Sequence, residues 1–176
     1  MFPLQPVLQN NTVRVQPLRP ADFETLYAIA KDPLLWEQHP NKDRYKRDVF
    51  EVFFEGAIAS GGAFMVIDNV LNKPIGSSRF YDMDMDNKSI TIGYTFIARD
   101  HWGGPYNKAL KTLMIDYAFT QFNIIHFHIG AQNIRSQKSI ERLGAIKIKE
   151  LEVAYYGEPV RLNFVYEINK ADWIKQ

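Results

Sequence analysis

The hydrophobic period of this 176-residue chain changes several times, and each change separates helix from strand. Between residues 21 and 31, Phe23, Leu26, Tyr27 and Ala30 recur at i, i+3, i+4 and i+7, a helical stripe that Asp32-Pro33 closes. The same spacing predicts a second helix over 43–59, with Phe50, Phe53, Phe54, Ala57 and Ile58 on one side and Gly61-Gly62 at its end. Residues 63–68, 75–81 and 89–98 are instead rich in β-branched and aromatic types and are separated by turn-forming stretches, the pattern of an antiparallel meander. Helical spacing returns over 106–122, through Tyr106, Ala109, Leu110, Leu113, Met114, Tyr117 and Ala118. A strand over 124–131, a short helix over 136–143 closed by Gly144, and a hairpin of 146–155 with 160–168 complete the chain. With a short strand over 13–17, the order is β-α-α-β-β-β-α-β-α-β-β. It implies a single-domain α/β fold, with a mixed, mostly antiparallel sheet flanked by helices and parallel where a helix crosses over.

No internal repeat or Pro/Gly/Ser-rich linker interrupts this pattern, so one domain over 1–176 is expected. The absence of cysteine excludes disulfides, thiolate metal sites and any acyl-cysteine intermediate. A net charge of +1 announces neither a basic nucleic-acid face nor an acidic tail. No apolar run approaches the ~18 residues of a membrane span. The opening Met1-Phe-Pro-Leu-Gln-Pro lacks a basic start and an apolar core, so a cytoplasmic setting is the expectation.

The chemistry concentrates where the strand around Thr91–Ala98 runs into Arg99-Asp100-His101-Trp102-Gly103-Gly104-Pro105-Tyr106-Asn107 and then into a helix. Adjacent glycines at a helix start let the backbone approach a ligand, and the free first-turn N–H groups favour an anion such as phosphate. After the next strand, Asn133 stands where a helix N-cap is expected. Arg135, Lys138 and Arg142 then fall at i, i+3 and i+7, a basic face for solvent or for a second phosphate.

Leu18-Arg19-Pro20-Ala21-Asp22, Ile92-Gly93-Tyr94, Trp102-Gly103-Gly104 with Tyr117-Ala118-Phe119, and the Asn133, Ser136, Leu143-Gly144 block together resemble the GNAT superfamily of acyl-CoA N-acyltransferases. The branch that contains the ribosomal-protein alanine N-acetyltransferases is the most similar. The resemblance implies acetyl-CoA as acyl donor, held by Phe96, Ile97, Ala98, Trp102, Gly103, Gly104, Tyr106, Asn107, Asn133, Arg135, Ser136 and Lys138. The family's pyrophosphate loop reads Gln/Arg-x-x-Gly-x-Gly/Ala. Here Asp100 stands at the first position and Pro105 at the last, placing an acid beside the loop and removing one amide donor.

Without cysteine, an amine must attack the thioester directly in a ternary complex. Amine pKa values of ~10.4 for lysine and ~7.7–8.0 for an α-amino group mean that a base or a desolvating pocket must free the nucleophile. The resemblance makes the backbone N–H of Ile97 the oxyanion donor and Ser136 the residue that protonates or hydrogen-bonds the sulfur, with helix capping as the plainer role for Ser136. Relatives often carry Glu just before Ile-Gly-Tyr, where this chain has Thr91, which leaves Glu37 and His39 as candidate bases. The alternative is a non-catalytic acyl-CoA-binding or protein-interaction module, favoured by Asp100, Pro105 and Thr91.

His126 and His128 share a strand face but lack a recognisable third ligand, and Asp82-Met-Asp84-Met-Asp86-Asn87 lacks the Gly and Glu of a calcium loop, so no metal is expected. The expected partners are a small-molecule or peptide amine acceptor, with no nucleic acid and no membrane. A homodimer through the C-terminal hairpin is implied only by the resemblance.

Overall fold

The computed structural model describes residues 2–173; Met1 and 174–176, part of the expected domain, lie outside the described residues. Eight strands form one sheet in the order β1-β2-β3-β4-β5-β6-β8-β7. They are β1 Leu8–Gln9, β2 Val13–Pro17, β3 Ala63–Asp68, β4 Lys73–Asp84, β5 Ser89–Ile97, β6 Ile124–Gly130, β7 Ile146–Val153 and β8 Arg161–Asn169. Among the described residues only β5 and β6 pair in parallel, because helix α3, Tyr106–Ala118, crosses over between them. The other helices are α1 Phe23–Ala30, α2 Arg47–Ala59, α4 Ile134–Glu141 and α5 Lys170–Trp173.

The sheet separates two cores. On one face, Val15, Phe64, Val66, Phe80, Ile90 and Ile92 pack with Leu110, Met114 and Ile115 of α3. On the other, Met65, Ile67 and Phe96 pack with Leu26 of α1, Trp36, and Phe50 and Phe53 of α2. Strand β3 is buried over its whole length because alternate residues serve opposite cores.

Several boundaries depart from the sequence pattern for local reasons. The expected helix over 43–59 starts at Arg47: Asn41 caps a single turn, Lys42–Tyr45, and Lys46 is extended at φ −75° and ψ 139°. Helix α3 ends at Ala118, not near 122, although Phe119 and Phe122 stay in the core through the following turn. Helix α4 begins at Ile134, two residues before the expected 136, because the Asn133 side chain accepts the Ser136 N–H at 3.2 Å. Capping therefore belongs to Asn133, and the plainer role for Ser136 falls away. Gly144, at φ +89°, ends that segment as its type predicts. Strand β1 and helix α5 carry too few residues to show a period.

Candidate active site

The site arises where two neighbouring strands part. Strand β5 pairs with β6 only over Ser89–Thr91 and Ile124–His126, whereas β6 stays on β8 through Gly130. From Ile92 onward β5 follows β4 and leaves β6, opening a cleft of about 530 Å³.

A bulge re-aims the cleft wall. Between the pairs Arg79–Gly93 and Ser77–Phe96, β4 contributes Ser78 alone while β5 contributes Tyr94 and Thr95. Tyr94 takes φ +52° to fit the extra residue. The alternation of faces reverses there: Ile90 and Ile92 face α3, Tyr94 and Phe96 face α1 and α2, and Ile97 returns to the α3 side. The Ala98 N–H bonds the Ile75 carbonyl at 2.7 Å, so ladder alternation turns the Ile97 N–H and C=O away from β4. The Ile97 carbonyl accepts the Trp102 indole N–H at 2.8 Å.

At one end of the cleft lies the loop before α3. Gly103 sits at φ +73°, a conformation few other residues adopt. The amides of Gly103, Gly104, Tyr106 and Asn107 have no protein acceptor among the described residues, so they are free to bind an anion at the helix start. Pro105 adds none. Asp100 bonds His101 Nδ1 at 2.6 Å, and its exposed carboxylate is not part of the cleft lining. Across the cleft, the Arg135 guanidinium stacks on the Trp102 ring at 3.8 Å, and Arg142 also lines the wall.

The other end is aromatic. Tyr94 meets Tyr81 and Tyr155 edge-on at 5.0 and 5.2 Å, and His128 faces Tyr81 at 6.0 Å. Arg44 lines this end, bonded to Glu158 through Nε (2.9 Å) and Nη2 (2.7 Å). Behind Tyr94, Arg79 stacks on the ring at 3.9 Å, and burial lowers its pKa to about 10. Arg79 donates to the Gly56 carbonyl at 3.2 Å, and the Glu158 carboxylate is held by Arg44.

Of the residues singled out in the sequence, Phe96, Ile97, Trp102, Gly103, Gly104, Asn107, Asn133, Arg135, Ser136 and His39 line the cleft. Four do not. Ala98 is held in the β4 ladder, the Tyr106 hydroxyl donates to Asp68 at 3.0 Å, and Lys138 and Glu37 are exposed outside it. The basic stripe therefore splits, with Arg135 and Arg142 inward and Lys138 outward. His39 offers no free base. Both ring nitrogens are engaged: Nδ1 accepts the Asn41 N–H at 2.9 Å, and Nε2 faces the Arg44 guanidinium, which can only donate, at 3.2 Å. Burial, then the Arg44 charge, hold its pKa well below the ordinary value.

Pattern reading missed Lys111 on α3. It is 4% exposed, lines the cleft and donates to Thr95 Oγ1 at 2.5 Å. Its signal was the spacing Asn107, Lys111, Ile115, Ala118, which continues a buried stripe.

This fold and cleft define a class, and the chain belongs to the GNAT acetyltransferases: the family profile "Acetyltransferase (GNAT) domain" matches residues 12–146. Among solved structures, a GCN5-related N-acetyltransferase from Brucella melitensis is similar at TM-score 0.84 and 19% identity, over 99% of this chain and 83% of that one. Spermidine N-acetyltransferase from Vibrio cholerae, in complex with CoA and spermine, aligns at TM-score 0.70 and 17% identity, over 94% and 99%. Mycobacterium smegmatis RimJ, in complex with CoA-disulfide, aligns at TM-score 0.72 and 17% identity, over 95% and 87%. At such identities the likeness is one of fold. No curated protein sequence matches the chain.

Proposed function

We propose that this protein moves an acetyl group directly from acetyl-CoA to a primary amine, a small molecule or a peptide N-terminus, within a ternary complex. The observation that carries the reading is the single cleft joining an anion-binding helix start to an aromatic pocket through the gap between β5 and β6. In this reading the amides from Gly103 to Asn107, with Arg135 and Arg142, hold the pyrophosphate of CoA. The Ile97 N–H, turned off the β4 ladder, faces the oxygen that gains charge as the amine adds. Ser136, freed of capping, hydrogen-bonds the departing sulfur. The absence of cysteine supports direct transfer over a covalent acyl-enzyme.

At the acceptor end Arg44, Arg79, Asp82 and Glu158 all act on Tyr94, so the charge there is mixed and does not select between monoamines and polyamines. The test is release of free thiol from acetyl-CoA by the purified protein across a panel of monoamines, polyamines and peptides. Amine-dependent thiol release with a matching acetylated product supports the reading. Acetyl-CoA binding with no amine-dependent release would replace it with the non-catalytic alternative.

A further inference from the structure

Lys111 projects from α3 beneath the gap between β5 and β6, and it is buried without a carboxylate. Among the described residues its Nζ has a single hydrogen-bond partner, the Thr95 hydroxyl at 2.5 Å, which in turn meets Ser78 Oγ at 2.8 Å. The Phe127 ring of β6 lies 5.6 Å away. The groups facing it are therefore Ser78 from β4, Thr95 from β5 and Phe127 from β6, none of which titrates. Among the described residues no charged group of α4 or any other element offsets its burial, which alone pushes its pKa down to about 7. An unpaired ammonium is expensive at such a depth, so the position suits an amine that gains and loses a proton.

Resting on the acetyltransferase reading above, we infer that Lys111 is a catalytic residue, which takes a proton from the acceptor ammonium and returns it to the CoA sulfur. Neutral Lys111 removes one proton from R–NH3+, and the freed lone pair forms the C–N bond at the thioester carbon. The C–S bond breaks with its electron pair on sulfur, and the Lys111 ammonium protonates that sulfur. The second nitrogen proton leaves to solvent, so the products are the amide, free CoA thiol, one proton and neutral Lys111. This fills the place that Thr91, the occupied His39 and the outlying Glu37 leave open. It also places the proton carrier on the α3 side of the gap, with the aromatic acceptor pocket on the other.

The test is the pH profile of kcat/KM for the acceptor, with acetyl-CoA affinity measured in parallel. The wild type should rise to a break near 7, run level to the pKa of the acceptor amine, and fall above it. Lys111→Met should bind acetyl-CoA within about threefold of wild type, lose about a hundredfold or more in kcat/KM, and lose the break. A break that persists in Lys111→Met, or an unchanged kcat/KM, overturns the inference. Should Lys111→Met fail to bind acetyl-CoA, Thr95→Val decides. Loss of the one acceptor should move the break to lower pH, and an unmoved break refutes the assignment. A wild type inert toward every amine sinks the acetyltransferase reading and this inference with it.

Discussion

Replacing Glu158 by Ala should be the most damaging single change outside the core. Glu158 lies in the turn between β7 and β8, and its side chain is 8% exposed; that of Arg44 is 3% exposed. The guanidinium makes three bonds, two to Glu158 Oε1 and one to His39 Nε2, and it is wedged between the Phe53 ring (4.7 Å) and the Trp36 ring (5.6 Å). Glu158→Ala removes two of the three bonds and the neutralising charge, and the aromatic faces cannot replace either. A buried pair stripped of one partner loses about 3–5 kcal/mol, which for a domain of this size lowers Tm by roughly 6–20 °C. The hairpin turn should loosen with it, because Tyr156 sits over Gly56 and Gly157 fits at Val52 with no room for a Cβ. Urea unfolding followed by tryptophan fluorescence measures the loss. The double variant Arg44→Met with Glu158→Leu should recover most of it, since the penalty is the orphaned charge. A Glu158→Ala protein within about 1 kcal/mol of wild type, as for an exposed pair, would refute the reasoning.

Lys111→Met should also reshape stability against pH. Because the folded pKa is depressed from 10.5 to about 7, the unfolded chain binds the extra proton between those values, so wild-type stability climbs there with a limiting slope of about 1.4 kcal/mol per pH unit. The methionine variant should be more stable at neutral pH and lack the climb, and denaturant midpoints from pH 6 to 10 would show a surviving slope if the argument fails. Asn133→Ala should cost about 0.5–2 kcal/mol through its lost cap and weaken acetyl-CoA binding, while Gly103→Val should abolish binding through its φ of +73°; calorimetry showing normal affinity in both would remove the cleft assignment. Gly130→Ala should push Pro40 away, since the added carbon would lie 2.3 Å from its Cγ, and the acceptor KM should rise with acetyl-CoA affinity retained.

Where side chains obey a repeating period, the sequence displayed the fold directly. The stripe through Phe23, Leu26, Tyr27 and Ala30 stands where that period predicts, and the strand over 63–68 where its residue types do. Asn133 and Gly103 were legible for another reason: each residue type solves a local backbone problem, one a helix start and the other a positive φ. The bulge was not legible, because Tyr94-Thr95-Phe96-Ile97 are all good strand formers and nothing in their types marks where the faces exchange. Lys111 was hidden for a related reason. A lysine on a helix reads as solvent-facing, and only the parting of β5 from β6 leaves that part of α3 beneath a cleft instead of a sheet.

The extra residue in β5 works as a phase shifter. Residues on either side of it obey opposite parities, so the two halves of the strand are locked to different partners by residue count as well as by side-chain type. Removing Tyr94 would restore an unbroken alternation. Thr95 and the Ile97 side chain would keep the α3 side and Phe96 the other, and the aromatic end would lose the ring that meets Tyr81, Tyr155 and Arg79. The extra residue is therefore how the strand presents one more ring to the aromatic end while both cores keep their residues, and shortening the strand at Tyr94 would cost that ring and close the bulge.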